Sequence, residues 1–140
     1  MEEADLRRHI AEPLKGEFRA ALAAVGETIL AFPPEEWCSG EEKRYQPIRQ
    51  AGHLLLGIEQ ALGGHKSGVG KRFGVPIESF KAEFAPEDCP SPEEFLPWIK
   101  EVEQIAMDHI ERAVTLSVTG APKKHPPLNR PTYLLRHTVV

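Results

Sequence analysis

Apolar residues recur along this chain at intervals of three and four, with no sustained alternation of the kind that marks a half-buried strand. From Ala4 to Ala31, Leu14, Phe18, Ala21, Leu22, Val25 and Ile29 fall on one stripe and predict a first helix. Pro13 interrupts it and predicts a short arm, up to Glu12, that meets the main helix at a kink. Phe32-Pro33-Pro34 ends the helix, because a residue before proline is pushed out of the helical region. Residues 33–46 read as a loop with Trp37 packed against the helices. A second helix runs from Pro47 to Leu62 on the stripe Ile48, Ala51, Leu55, Ile58 and Leu62, and Gly63-Gly64 stops it.

The stretch from 63 to 90 is punctuated by glycines and prolines and is too long for a turn between packed helices. It predicts a crossover with some structure of its own, with Val75, Ile77, Phe80 and Phe84 capping the helices. Ser91-Pro92-Glu93-Glu94 is a capping box with proline at the first helical position. Phe95, Ile99, Val102, Ala106, His109, Ala113 and Leu116 then follow by fours and threes, predicting a third helix of about 25 residues, near 37 Å long. Gly120-Ala121-Pro122 ends it. Asn129 as N-cap and Pro131 in the first turn open a last helix, in which Leu134, Leu135, Val139 and Val140 are interleaved with Arg136, His137 and Thr138. No stop signal precedes Val140, so this helix reads as incomplete. The prediction is an all-α fold: one domain over 1–140, a four-helix bundle with a long crossover between helices two and three.

Composition narrows the function classes. At 140 residues the chain suffices for a single core. A formal charge of -4 without long charge runs points away from nucleic acid and from anionic membranes. Lys123-Lys124-His125 reads as a solvated loop. Gly64-His-Lys-Ser-Gly-Val-Gly-Lys71 lacks the spacing of a phosphate loop and has no strand before it. No apolar run approaches the roughly 18 residues of a membrane span. The acidic start lacks the pattern of a signal peptide, so the expected location is the cytoplasm. Cys38 and Cys89 have no CxxC spacing and read as free thiols there, neither with an activating neighbour in sequence.

The candidate chemistry rests on histidines. His9 sits among charges and reads as a surface residue. His53 points nearly opposite the Ile48/Leu55/Ile58 stripe at about 100° per residue, on a face shared with Arg49, Leu56 and Gln60. Periodicity alone makes it solvent-exposed; a metal role needs that face to line a partly polar pocket, which Leu54 and Leu56 permit by widening the apolar arc. His109 lies within the third-helix stripe, as a core or boundary residue or else a ligand. Glu59 lies about 120° around its helix from His53. No Ser/His/Asp arrangement stands out.

Four segments carry a family likeness: Pro47-Ile-Arg-Gln-Ala-Gly-His-Leu-Leu-Leu-Gly-Ile-Glu59, Arg72-Phe-Gly-Val75, Pro90-Ser-Pro-Glu-Glu-Phe95 and Tyr133-Leu-Leu-Arg-His-Thr-Val-Val140. Together they resemble the DinB/YfiT-like family of metalloproteins. The resemblance implies a divalent ion held by His53 from the second helix and His137 from the last. A further His one turn later would fall at position 141, past Val140. Imidazole ligands suit Zn or Ni, and with two of three ligands the ion is expected to be weakly bound or absent in this chain. The implied activity is a metal-dependent thiol transferase or hydrolase acting on a small thiol or another small molecule. The alternative is a non-catalytic, self-associating bundle whose metal site is incomplete. On either reading, the apolar stripes outrun the short last helix and predict a homo-oligomer, a dimer.

Overall fold

The computed structural model describes residues 2–63 and 68–119. The predicted last helix, the Lys123–His125 loop and His137 lie outside the described residues. Among the described residues the secondary structure is all helical, with no strand. No helix among them is long and apolar enough to cross a membrane.

Helix α1 (Glu3–Leu6) leads through a π-helical turn (Arg7–Ala11) into α2 (Glu12–Ala31). Just ahead of Pro13, where the sequence predicts an interruption, the helix takes this widened turn. Proline has no N–H to offer the carbonyl four residues back, and its ring crowds that carbonyl. A π turn just ahead of it moves the carbonyls out of the way while the helix continues. Phe32 takes an extended backbone, φ -72° and ψ 130°, and ends α2 before Pro33, as the sequence predicts.

The expected loop at 33–46 contains α3 (Pro34–Trp37) and a 3-10 turn (Lys43–Tyr45). Helix α4 spans Pro47–Ala61. A 3-10 turn at Pro86–Asp88 and another at Pro92–Phe95 lead into α5 (Leu96–Thr119). The capping box forms: the Ser91 N–H donates to the Glu94 carboxylate at 2.5 Å.

The core lies where α2 and α4 pack against α5. Phe18 and Leu22 from α2, Ile48 and Leu55 from α4, and Val102 and Ile110 from α5 are fully buried. The predicted stripes are therefore the buried faces; Val25 and His109 are half-buried, and Leu116 is exposed. One end is closed by an aromatic cluster. Trp37 meets Phe95 edge-on at 5.2 Å, Phe73 stacks on Phe95 at 5.3 Å, and Trp98 lies 5.7 Å from Phe95. Such pairs each add about 0.5–1.5 kcal/mol beyond the area they bury.

Residues 68–95 do more than connect. Ile77 is fully buried against α4, where Gly52 leaves the room. A Cβ at Gly52 would meet Ile77 Cγ1 at 3.3 Å and Glu78 Cα at 3.4 Å. The buried Glu78 carboxylate accepts the Gly70 N–H at 3.1 Å, and Gly70 adopts φ +84°, where a side chain would be strained. Ser79 Oγ accepts the N–H groups of Lys81 and Ala82, both at 3.0 Å, and shapes the next bend.

Charge ties the N-terminal helix to α5. Glu111 accepts hydrogen bonds from both Lys15 and Arg7. Those bonds, Lys15 first, hold its carboxyl below the usual range, and the same bond with Glu111 raises Lys15. A depressed carboxylate stabilises the fold above its unfolded value, about 4.3, and that stability is lost as pH falls through the folded value. The raised Lys15 contributes below its own unfolded value, so between the two the Lys15–Glu111 pair is intact. Its weight falls within the about 0–1 kcal/mol of exposed pairs, because solvent reaches Glu111. Urea titrations should show Glu111→Gln less stable than wild type by up to about 1 kcal/mol at pH 7, with the gap closing near pH 3. An equal gap at both pH values would refute this role.

Candidate functional site

His53 sits on α4 with its ring in water, as its helical phase predicts. Its surroundings differ from the prediction. Arg49 and Leu56, expected beside it on an open face, are 2% and 7% exposed. For Arg49 the reason is the segment 75–84, which lies along this side of α4 and covers a residue that helical phase alone assigns to solvent. Only a strip including His53, Gly57 and Gln60 stays exposed.

Two contacts fix the His53 ring. Phe80 stacks on it, with centroids 4.3 Å apart and planes 28° apart. Nδ1 lies 3.4 Å from the Glu78 carbonyl oxygen. A carbonyl only accepts, so this contact favours the tautomer with hydrogen on Nδ1. Nε2 then carries the lone pair. Metal-ligating histidines are held in this manner, one ring N–H against a carbonyl and the other nitrogen available to the ion. Nothing in the sequence around His53 announces the Glu78 carbonyl, because it arrives from the other side of the 63–90 stretch.

Arg49 is the second polar element of this face. Its Nη1 donates to the Ser79 carbonyl at 2.7 Å and its Nε to Gln46 Oε1 at 2.6 Å. The guanidinium lies 4.1 Å over the Phe84 ring. Burial lowers its pKa, while Glu83 and the two cysteines act in the other direction. Glu83 itself is held below the usual carboxylate range by its bond from Lys43.

Glu59 faces elsewhere, as its phase predicts. It is 1% exposed and lies 3.6 Å from Arg72 Nη2. Arg72 in turn stacks over Trp98 at 4.8 Å and bonds Glu101. This is an ion-pair network between α4, the connection and α5, apart from His53. His109 is half-buried on α5. His137 lies outside the described residues. Among the described residues no group of three or more His, Cys, Asp or Glu comes together in a geometry that could hold a metal. His53 is not joined by a cluster of further ligand-type side chains among the described residues.

The two cysteines, unremarkable in sequence, are neighbours in space. Trp37 Nε1 donates to the Pro90 carbonyl at 2.9 Å and joins the residue before Cys38 to the residue after Cys89. Burial, and then the adjacent Cys89 thiol, push the Cys38 thiol up to about 12, with Arg49 opposing. The missed signal was Trp37, whose indole N–H needs an acceptor once buried.

Comparison of the chain with family models, with curated proteins and with solved structures finds no match.

The tautomer of His53 is open to direct measurement. Nitrogen-15 NMR of the folded protein at pH 8 should find His53 with hydrogen on Nδ1. Hydrogen on Nε2 would mean that the Glu78 contact does not orient the ring.

Proposed function

We propose that this chain is a divalent-metal-binding protein of the DinB-like kind, with His53 and His137 as ligands of a Zn or Ni ion. The observation that carries the proposal is the fixed His53 ring, held by the Glu78 carbonyl at 3.4 Å and by Phe80. On this reading the fold is a four-helix bundle, residues 63–90 are its crossover, and the helix opening at Pro131 supplies His137. The crossover gives His53 its second contact and its apolar wall. When bound, an ion with imidazole ligands and open positions acts as a Lewis acid that lowers the pKa of a water or a thiol. The reaction class that follows is thiol transfer or hydrolysis on a small molecule. His53 would hold the ion; Phe80 and the Glu78 carbonyl would set the angle of its ring.

The test is metal binding by titration calorimetry and elemental analysis on the 140-residue chain. Wild type should bind Zn or Ni weakly, with less than one ion per chain recovered after purification. His53→Ala and His137→Ala should each weaken binding by at least about tenfold, the loss that follows from removing supporting contacts alone. Binding should fade below about pH 6, where protons compete for imidazole. Equal metal content in wild type and both variants would reject this site. It would favour a non-catalytic bundle that works by self-association, and light scattering would then be expected to find a dimer.

A further inference from the structure

Two half-buried thiols face each other where α3 meets the segment before α5, remote in sequence and outside the His53 site. Cys38 ends α3, and Cys89 follows the 3-10 turn at Pro86–Asp88. Both pack against the core. Three features hold them together. The Trp37 indole donates to the Pro90 carbonyl at 2.9 Å, so the backbones flanking the two cysteines are tethered. Trp37 and Pro90 are themselves buried, so the tether is shielded from water. The Cys89 thiol is directed back along its own turn, 3.8 Å from the Ala85 carbonyl, and lies close enough to act directly on Cys38. Both residues are free thiols.

We propose that Cys38 and Cys89 form a dithiol that reacts with low-molecular-weight disulfides and closes to an intramolecular Cys38–Cys89 disulfide. The half-buried position suits a small disulfide better than a protein-sized partner. Arg49 lies near both sulfurs, and at Cys38 its charge opposes the larger effect of burial.

The sequence of steps balances. Cys89 gives its proton to water, and its thiolate attacks one sulfur of the small disulfide. That S–S bond breaks, a mixed disulfide forms on Cys89, and the first small thiolate leaves and takes up a proton. Cys38 then loses its proton and attacks Cys89 Sγ; the mixed disulfide breaks and the second small thiol departs. Two electrons and two protons pass from the cysteine pair to the small disulfide, which is reduced to two thiols. The balance is the same with the roles of the two cysteines exchanged, since both thiols are half-buried. The closing step should quicken as pH rises. Closure would staple α3 to the entry of α5 across a long loop, the arrangement in which a cross-link constrains the unfolded chain most.

The experiment treats the purified reduced chain with oxidised glutathione at pH 7.5 and follows intact mass, free-thiol content and non-reducing peptide maps. Wild type should lose both thiols together, lose the mass of two hydrogen atoms, and yield a peptide linked through Cys38 and Cys89. Cys38→Ser should instead retain glutathione on Cys89. Cys89→Ser should likewise retain glutathione, on Cys38. If wild type accumulates glutathione on both cysteines, or forms only links between chains, the proposal fails. The wild-type peptide map decides the matter even if a serine variant does not fold.

Discussion

A guanidinium group buried against a helix organises this molecule. Arg49 is 2% exposed, and a charge so placed is costly unless its donors are met. The donors that find acceptors do so on both sides: Gln46 on its own helix and the Ser79 carbonyl on the connection, with the Phe84 ring beneath the cation. Removing either side would leave a buried charge short of partners, so the connection and α4 are obliged to stay together. Gly52, one turn along, makes the approach sterically feasible by leaving room for Ile77. One polar and one apolar device thus fix an otherwise irregular segment onto a helix, without any sheet.

Other features of the chemistry follow from that seating. The Glu78 carbonyl reaches His53 because Ile77 is locked beside Gly52, and Phe80 reaches the imidazole ring because Ser79 bends the chain immediately before it. Farther on, the segment brings Pro90 under Trp37 and thereby Cys89 beside Cys38. The held His53 ring at one end and a thiol pair at the other depend on the same docked stretch. The aromatic cluster around Phe95 and the Glu111 ion pairs stabilise the helices that the stretch rests on, but neither sets the position of His53.

Much of the helical framework is legible in the sequence because helix burial is periodic. Leu14, Phe18 and Leu22, or Ile48, Leu55 and Ile58, announce their faces by spacing alone, and Ser91 with Glu94 announces a helix start. The outward pointing of His53 is legible for the same reason. The burial of Arg49 is not: its phase puts it on the water side, and an aperiodic segment covers it. Such a segment carries no repeating signal, and what it contributes to the site is partly backbone, as with the carbonyls of Glu78 and Ser79, which no side-chain pattern reveals. Cys38 and Cys89 meet through Trp37 and Pro90, a pairing that sequence distance conceals. The turn at Arg7–Ala11 is a smaller case, where Pro13 signals a disruption without saying whether the helix bends or widens.

Gly52 and Arg49 on α4 hold residues 75–90 in place, and hydrogen exchange can read that hold. Gly52→Val puts branched carbon where Ile77 and the Glu78 backbone now lie and should cost about 1–3 kcal/mol. Gly57→Val is the control on the same helix, since nothing lies within 4 Å of a Cβ added there. In Gly52→Val the amides of residues 75–90 should lose protection while those of α5 keep theirs, and Gly57→Val should leave both unchanged. Unaltered protection of residues 75–90 in Gly52→Val, or equal loss in the two variants, would contradict the account.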